Sequence, residues 1–457
     1  MKVAHRRLAS TSLAGVFAAS ALIVGCHHLT PEKSAPRNPA VKQIPGRPDI
    51  EANADRMIDE GRKIFRHDTF GSEDFWGGKL RLHQAIAGAE RHGVGPGLTP
   101  HQALAVGLKV DSDAVPKVLL QVLKGGHVSL DDPKTTIELL KADSVVGVKG
   151  FFDDPGDRNH LTAVGITCAI CHSTVDDSFM KGIGQRLDGW PNRDLDVGSV
   201  VALAPNLKPI AEPLGIDEET LKKVLKSWGP GKYDAEVNQD GKGFRPDGKS
   251  AATLIPAAFG QAGVNLHTYS GWGSVTHWNA YVANTQMHGK GTFFDPRLND
   301  SARFPAAVRQ HHYDMRNNPD LVTPKLAALH FYQLAIPAPK PKAETYDATA
   351  AARGHAVFEG KAQCARCHVP PLFTEPGWPM HTADEMGIDD FQASRSPDKK
   401  FYRTTPLRGL FVRAKGGFYH DGRFADLPAV VAHYEDLLKL QLTAQEKADL
   451  IEFLKSL

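Results

Sequence analysis

The spacing of apolar residues along most of this chain is helical. Between Ile50 and Val148, apolar residues such as Leu104 and Leu108 recur at helical intervals. The segment 116–123 begins with proline, which suits a first helical turn, and the glycines at 125 and 126 predict where that helix ends. Little strand signal is present anywhere, so the pattern predicts a mostly α fold.

The last helix carries its own start signal. Thr443 and Glu446 have the spacing of a capping box, in which each side chain satisfies the other's backbone N–H. Leu450, Ile451 and Leu454 then form one apolar stripe. This pattern predicts a closing helix that packs its stripe against the C-terminal part of the chain.

The N-terminus has the layout of an export signal. A basic start precedes an apolar stretch from Leu8 to Val24, and Cys26 follows at once. The residues just before Cys26 are similar to a bacterial lipobox, so we expect residues 1–25 to be a lipoprotein signal peptide and Cys26 to be acylated. An ordinary cleaved signal with a stray cysteine is the alternative. Residues 26–50 are rich in proline and predict an extended tether.

Two Cys-x-x-Cys-His pentads carry the chemistry. The pattern is typical of c-type haem attachment, where two thiols add to the haem vinyl groups and the adjacent histidine binds iron. A zinc ribbon would use two CxxC pairs but would not explain a histidine after each. The pentads use four of the five cysteines, and Cys26 is the fifth, so none remains for a disulfide. The predicted haem-binding residues are Cys168, Cys171, His172, Cys364, Cys367 and His368.

The helices that precede the pentads suggest two domains. Residues 55–65 and 351–358 are both similar to the helix that opens a cytochrome c module. The second lies a few residues before its pentad, whereas Cys168 follows the first only after roughly a hundred residues. We therefore expect two cytochrome c-like haem domains with long irregular loops, 51–342 with a large insertion and 343–457. The proline-rich segment 337–341 sets the boundary.

Composition excludes some partners. The chain has 54 basic and 52 acidic residues, which gives a net charge of +2 and implies no nucleic-acid partner. After the signal no apolar run reaches membrane-spanning length. The 42 glycines and 31 prolines predict long connections between helices. Residues 236–247 are loosely similar to a calcium loop, although a polar turn is the simpler interpretation.

The C-terminal third resembles the bacterial di-haem cytochrome c peroxidases and their relative MauG. The similarity is carried by 354–358, the second pentad, 371–374, 405–410 and 418–423. It implies two covalently bound haem c groups in a periplasmic protein, with Ca²⁺ between the domains as a family feature. It also implies that H2O2 or O2 reacts at the N-terminal haem, while the C-terminal haem takes electrons from a small cytochrome or cupredoxin.

The resemblance also points to a second axial ligand for the C-terminal haem. In the family this ligand lies on the helix after the His-Asp-Gly turn, as Met in the peroxidases and Tyr in MauG. Counting from residues 420–422 places Tyr434 there. Tyr434 as a packed aromatic residue, with Met380, Met386 or His433 as the ligand, is the alternative. His420 is expected to hold the turn and a haem propionate.

The first haem is expected to have an open face. Family members often cap this iron with a loop histidine, but 173–217 contains none, and Met180 is the nearest soft candidate. Trp190 is a candidate electron bridge between the haems, with simple core packing as the alternative. Asp188, Arg193 and Asp194 are candidates for the acid and the positive charge that O–O cleavage needs.

Three functions are compatible with these features. The leading hypothesis is a lipid-anchored periplasmic oxidoreductase that activates H2O2 at the N-terminal haem and relays electrons through the C-terminal haem. A MauG-like or oxygenase-like oxidation of an organic or protein substrate is the second. An electron-transfer cytochrome without catalysis is the third.

The lipobox interpretation predicts that Cys26→Ser moves the protein to the soluble periplasmic fraction or leaves it unprocessed. Acyl chains on Cys26 would be the membrane anchor. Fractionation and N-terminal mass analysis check this, with Cys171→Ser as a cysteine change that should keep the wild-type distribution. A wild-type protein that is soluble and begins elsewhere would exclude the anchor.

Overall fold

Short helices joined by long loops make up most of this protein, whose structure is a computed structural model. The structure describes residues 47–125, 129–153, 160–398 and 400–457. The predicted signal, Cys26 and most of the predicted tether lie outside these residues, and 47–50 are the first residues of a helix. The helices are α1 Arg47–His67, α2 Leu82–Ala87, α3 Pro100–Ala105, α4 Lys117–Lys124, α5 Pro133–Lys141, α6 Ala169–His172, α7 Val197–Ala202, α8 Lys208–Leu214, α9 Glu218–Trp228, α10 Val237–Asp240, α11 Val275–Thr285, α12 Pro305–Arg309, α13 Leu326–Ala335, α14 Ala348–Glu359, α15 Ala383–Met386, α16 Phe391–Ser394, α17 Leu410–Arg413, α18 Leu427–Leu438 and α19 Ala444–Lys455.

The strands of the described residues are short and occur as two-stranded pairs. One pair, β1 with β5, is parallel, and the others are antiparallel. These short pairs connect loops and do not form a larger sheet. The expected mostly α fold is therefore confirmed. The strands are β1 Val110–Asp111, β2 Val148–Phe152, β3 Leu161–Ile166, β4 Ser173–Val175, β5 Ile183–Gly184, β6 Arg186–Asp188, β7 Lys232–Tyr233, β8 Thr253–Leu254, β9 Thr292–Phe294, β10 Asp314–Arg316, β11 His381–Thr382 and β12 Phe401–Tyr402.

The local helix signals are confirmed. Pro116 is the N-cap of α4 and Gly125 its C-cap. Thr443 caps α19, and the reciprocal capping box with Glu446 is present. None of the described helices has the length and apolarity to cross a membrane.

The N-terminal part buries its apolar residues among small helices. Helices α2, α5, α7, α8 and α9 contribute to one apolar cluster with the β2–β3 hairpin. Helices α7 and α9 come very close, because a Cβ on Gly198 would lie 1.9 Å from the Leu225 carbonyl oxygen. Helices α2 and α5 of the insertion before the first pentad therefore share one apolar cluster with α7, α8 and α9, which follow the pentad.

In the C-terminal part, α14 packs against α19 as expected for a closing helix. A Cβ on Gly354 would lie 1.9 Å from the Asp449 carbonyl oxygen, so only glycine permits this crossing. Arg353 also pairs with the Asp449 carboxylate at 2.6 Å. Residues 51–457 form one compact unit by their contacts, and the domain boundary near 343 stays a prediction.

A buried ion-pair cluster joins the middle region to the C-terminal part. The Arg395 guanidinium donates to both carboxylate oxygens of Asp240, at 2.8 and 2.9 Å, and pairs with Asp234 at 3.0 Å. The side chains of all three are 0–2% exposed. Asp240 lies within the segment that is loosely similar to a calcium loop, and Asp234 lies just before it. Arg395 thus neutralises both carboxylates.

Replacing Arg395 by alanine should lower the free energy of unfolding by about 3–5 kcal/mol, because it leaves buried carboxylates unpaired. Denaturant titration of the haem-loaded protein measures this. The matched control is Arg316→Ala, which removes an exposed pair with Asp314 and should cost about 0–1 kcal/mol. If the two variants unfold at the same denaturant concentration, the buried cluster contributes no more to stability than the exposed pair does.

Candidate haem sites

The first pentad forms one turn of helix after strand β3. Cys168 is the N-cap of α6, and the His172 N–H donates to the Cys168 carbonyl at 3.2 Å. The turn packs tightly on Gly147, where a Cβ would lie 2.2 Å from the Ile170 backbone. The turn therefore brings the two thiols and the imidazole of the pentad together on a fixed backbone.

A backbone carbonyl orients the imidazole of His172. Its Nδ1 lies 3.1 Å from the Pro256 carbonyl oxygen, which accepts a hydrogen bond from an Nδ1–H. Burial lowers the pKa of His172 to about 4, so the ring is neutral at physiological pH. The neutral tautomer with Nδ1 protonated keeps its lone pair on Nε2, as a metal ligand requires.

The second pentad has the same arrangement, but the carbonyl that orients its histidine is close in sequence. Residues Cys364–Arg366 form a 3-10 turn, and the His368 N–H donates to the Cys364 carbonyl at 2.9 Å. The His368 Nδ1 donates to the Phe373 carbonyl oxygen at 3.1 Å, and burial lowers its pKa to about 4. Phe373 belongs to the family-like segment 371–374, so a local motif positions this histidine.

The four pentad thiols are free. Burial raises the pKa of Cys168 and of Cys171 to about 12 and that of Cys364 to about 11, and it also raises the pKa of Cys367. All four are therefore neutral, and each pair stands beside a histidine with an available Nε2. This donor set fits covalent haem attachment.

A cavity of about 320 Å³ lies beside the first pentad. Its wall includes Cys168, Cys171 and His172 and is otherwise mostly aliphatic and aromatic. Arg403 and Arg413 are also on the wall, and burial lowers their pKa values to about 10 and about 9. Within the described residues neither pairs with a carboxylate. Enclosed cations need a counter-ion, and haem propionates would supply it.

Tyr434 lies near the second pentad, on α18. Burial raises the pKa of Tyr434 to about 12, and the Cys364 and Cys367 thiols are close enough to raise it further. Its ring packs on the apolar cluster that includes Cys364. This position suits an axial ligand, and the assignment of Tyr434 stays a prediction.

The alternatives to Tyr434 have other contacts. The His433 Nε2 donates to the Met386 carbonyl at 2.8 Å, and the ring packs on Phe424. Met380 packs against Gly271, where a Cβ would lie 2.9 Å from its Sδ. The phenol of Tyr434 also interacts with the Tyr419 side chain, so each of these three candidates has a protein contact of its own.

Trp190 lies between the two parts of the chain. Its neighbours Gly189 and Asn192 donate to the carbonyls of His172 and Cys171, at 2.7 and 2.8 Å. Its ring meets Phe411 of α17 edge-on, with centroids 5.9 Å apart. This placement is compatible with both the electron bridge and simple packing.

The acidic candidates are held in ion pairs. Asp188 accepts hydrogen bonds from Arg66, Tyr332 and Ser173 at 2.5–2.8 Å. Burial raises the pKa of Asp194, but hydrogen bonds from Lys109 and Lys415 outweigh it and leave that pKa below its usual value.

Arg193 is buried, and its NH1 donates to the backbone carbonyl of Lys415 at 3.4 Å. Its Nε has no partner among the described residues. The catalytic assignments of Asp188, Arg193 and Trp190 stay predictions.

Two further histidines lie on the cavity wall, although no sequence pattern predicts them there. His267 and His288 both line the cavity that contains His172. The loop 173–217, where members of the resembled family often carry a second histidine, contains none. No sequence signal connects residues 267 and 288 to the first pentad, since a long loop and α11 bring them there.

Comparison with known proteins confirms the resemblance over part of the chain. No family model matches. The methylamine utilization protein MauG of Methylorubrum extorquens is 30% identical over 122 residues, which cover 23% of this chain and 34% of that protein. The cytochrome-c peroxidase IdrP1 of Denitromonas iodatirespirans is 32% identical over 151 residues, covering 23% of this chain and 40% of that protein. The matches thus span little more than a third of these relatives.

Among solved structures, the di-haem peroxidase BthA of Burkholderia thailandensis is similar with a TM-score of 0.30 and 15% identity. That alignment covers 56% of this chain and 81% of BthA.

Replacing Tyr434 by methionine should raise the potential of the C-terminal haem, because a thioether stabilises ferrous iron and a phenolate stabilises ferric iron. Spectroelectrochemical titration measures the shift, and Tyr346→Phe, a tyrosine just before α14, should leave both potentials unchanged. A near-infrared Met–iron band in the wild type would exclude Tyr434 as the ligand.

Proposed function

We propose that this chain is a di-haem oxidoreductase that reduces H2O2 at its N-terminal haem and receives electrons through its C-terminal haem. The observation that carries the proposal is the pair of pentads whose histidines are neutral, anchored through Nδ1 and available at Nε2. The names of the curated relatives, MauG and cytochrome-c peroxidase, support the same class of chemistry.

The protein supplies the ligands and the enclosure. Bound haem iron would contribute the redox chemistry at both sites. His172 and His368 would hold the irons, and Arg403 and Arg413 on the cavity wall would neutralise carboxylates at the first site. The apolar wall of the first cavity would keep bulk water from the reacting oxygen atoms.

The two sites would exchange electrons across the region of Trp190. Hydrogen bonds join the residues on either side of Trp190 to the first pentad, while its ring contacts Phe411 in the C-terminal part. An aromatic ring at this point would shorten the gap that an electron crosses between the haems.

Oxidation of an organic or protein substrate, as in MauG, is the second candidate function. The position of Tyr434 beside Cys364 and Cys367 favours it. A Tyr-ligated haem accepts electrons less readily than a Met-ligated one and so retains oxidising equivalents longer.

The cellular setting follows from the export signal and the pentads. We infer a periplasmic protein anchored by lipid on Cys26. Its electron donor would be a small cytochrome or cupredoxin, and any Ca²⁺ would lie between the two haem domains.

Two double variants test which haem reacts. Cys168→Ala/Cys171→Ala should lose one haem by intact mass, together with cyanide binding and the spectral response to H2O2. The matched variant Cys364→Ala/Cys367→Ala should retain both responses and lose turnover with a reduced cytochrome donor. If both wild-type haems prove low-spin and resistant to cyanide, the protein is an electron carrier.

A further inference from the structure

The residues that follow α11 form part of the wall of the first haem cavity. Gln286, Met287 and His288 all line the cavity that contains Cys168 and His172. They come from the middle region of the chain, for which the sequence offered no role. Gln286 and His288 are two of the polar side chains on a wall that is otherwise mostly apolar.

The ring of His288 is held in a fixed orientation. It stacks on Phe75 with centroids 3.5 Å apart and an interplanar angle of 13°. The Trp76 Nε1 donates to the Met287 carbonyl at 2.9 Å and fixes the adjacent backbone. His288 itself adopts a left-handed conformation, with φ of +59°, which L-residues other than glycine seldom take. Strain of this kind is concentrated at functional sites.

Neither ring nitrogen of His288 has a hydrogen-bond partner among the described residues. Burial lowers its pKa to about 3, so the ring is a neutral proton acceptor within an enclosed space. Beside it, the Gln286 Nε2 is buried without a hydrogen-bond partner among the described residues. Unsatisfied donors of this kind need an acceptor, and a bound oxygen species would provide one.

We propose that His288 is the proton acceptor and donor for H2O2 at the N-terminal haem. This inference rests on the proposed function, because it requires a haem on Cys168, Cys171 and His172. It gives the acid–base role to His288 instead of Asp188, whose carboxylate is already bound by Arg66, Tyr332 and Ser173.

The proton movement balances within the site. His288 takes the proton from the peroxide oxygen nearer the iron and returns it to the outer oxygen. With two electrons from a bound haem, the O–O bond would break and the outer oxygen would leave as water, while the iron would retain the inner oxygen. A single imidazole therefore serves as base and then as acid.

Cyanide association tests the proton-acceptor role without turnover. HCN is protonated at neutral pH and must lose its proton as it binds ferric iron, so a nearby base speeds the reaction. In His288→Gln and in His288→Leu we expect both haems to remain attached and the first to remain high-spin. Cyanide association and the spectral response to H2O2 should slow by about 10²–10⁴-fold, the usual contribution of general acid–base catalysis.

The matched control is His312→Gln. His312 is also a buried histidine near His288, but its Nδ1 donates to the Asn238 carbonyl at 3.2 Å and it is not on the cavity wall. Its variant should keep the wild-type rates, which separates a proton-transfer role from a general packing effect.

Two outcomes would overturn the proposal. The first is a His288→Gln protein with wild-type cyanide and peroxide kinetics. The second is a low-spin first haem in the wild type that becomes high-spin in His288→Leu, since His288 would then be an iron ligand. A third result separates the two proposals. If the His288 variants bind cyanide more slowly than the wild type, but the wild type does not react with H2O2, the peroxidase function is rejected and His288 remains the proton acceptor.

Discussion

The hydrogen bond from each pentad histidine to a backbone carbonyl is the contact on which the candidate site depends. It fixes the tautomer, because a protonated Nδ1 leaves the lone pair on Nε2. The carbonyl for His368 belongs to Phe373, five residues away, whereas that for His172 belongs to Pro256, 84 residues away. The second site is therefore built locally, and the first requires the middle region to be folded and docked.

Burial and charge set a second constraint on the first site. Arg403 and Arg413 lie on an apolar wall, where unpaired cations are costly. Their lowered pKa values express that cost. A ligand with a flat apolar body and carboxylate arms would satisfy the wall and the two cations together. The apolar wall and its two cations thus suit haem, which adds to what the pentad motif alone implies.

What the sequence predicted well is local in origin. The pentads, the proline that starts α4 and the capping box of α19 act within a few residues, and the structure shows the expected turn and helices at each. Tyr434 was found only by counting from a family motif. Arg395 with its partners 155 and 161 residues away, and His288 on the wall of the first cavity, carry no local signal. Packing between distant segments brings these residues together, and no short sequence pattern indicates such long-range contacts.

The two candidate sites differ in the side chain that each proposal adds to its pentad histidine. The first cavity has an enclosed imidazole, His288, which is neutral and has no other hydrogen-bond partner in the described structure. The second has the phenol of Tyr434, whose raised pKa keeps it protonated, so that binding to ferric iron as phenolate would displace a proton to solvent. A site that manages protons and a site that stabilises ferric iron are chemically complementary, and the Trp190–Phe411 contact lies between the segments that carry them. The asymmetry therefore agrees with the roles proposed for the two haems, oxygen chemistry at the first and charge storage at the second.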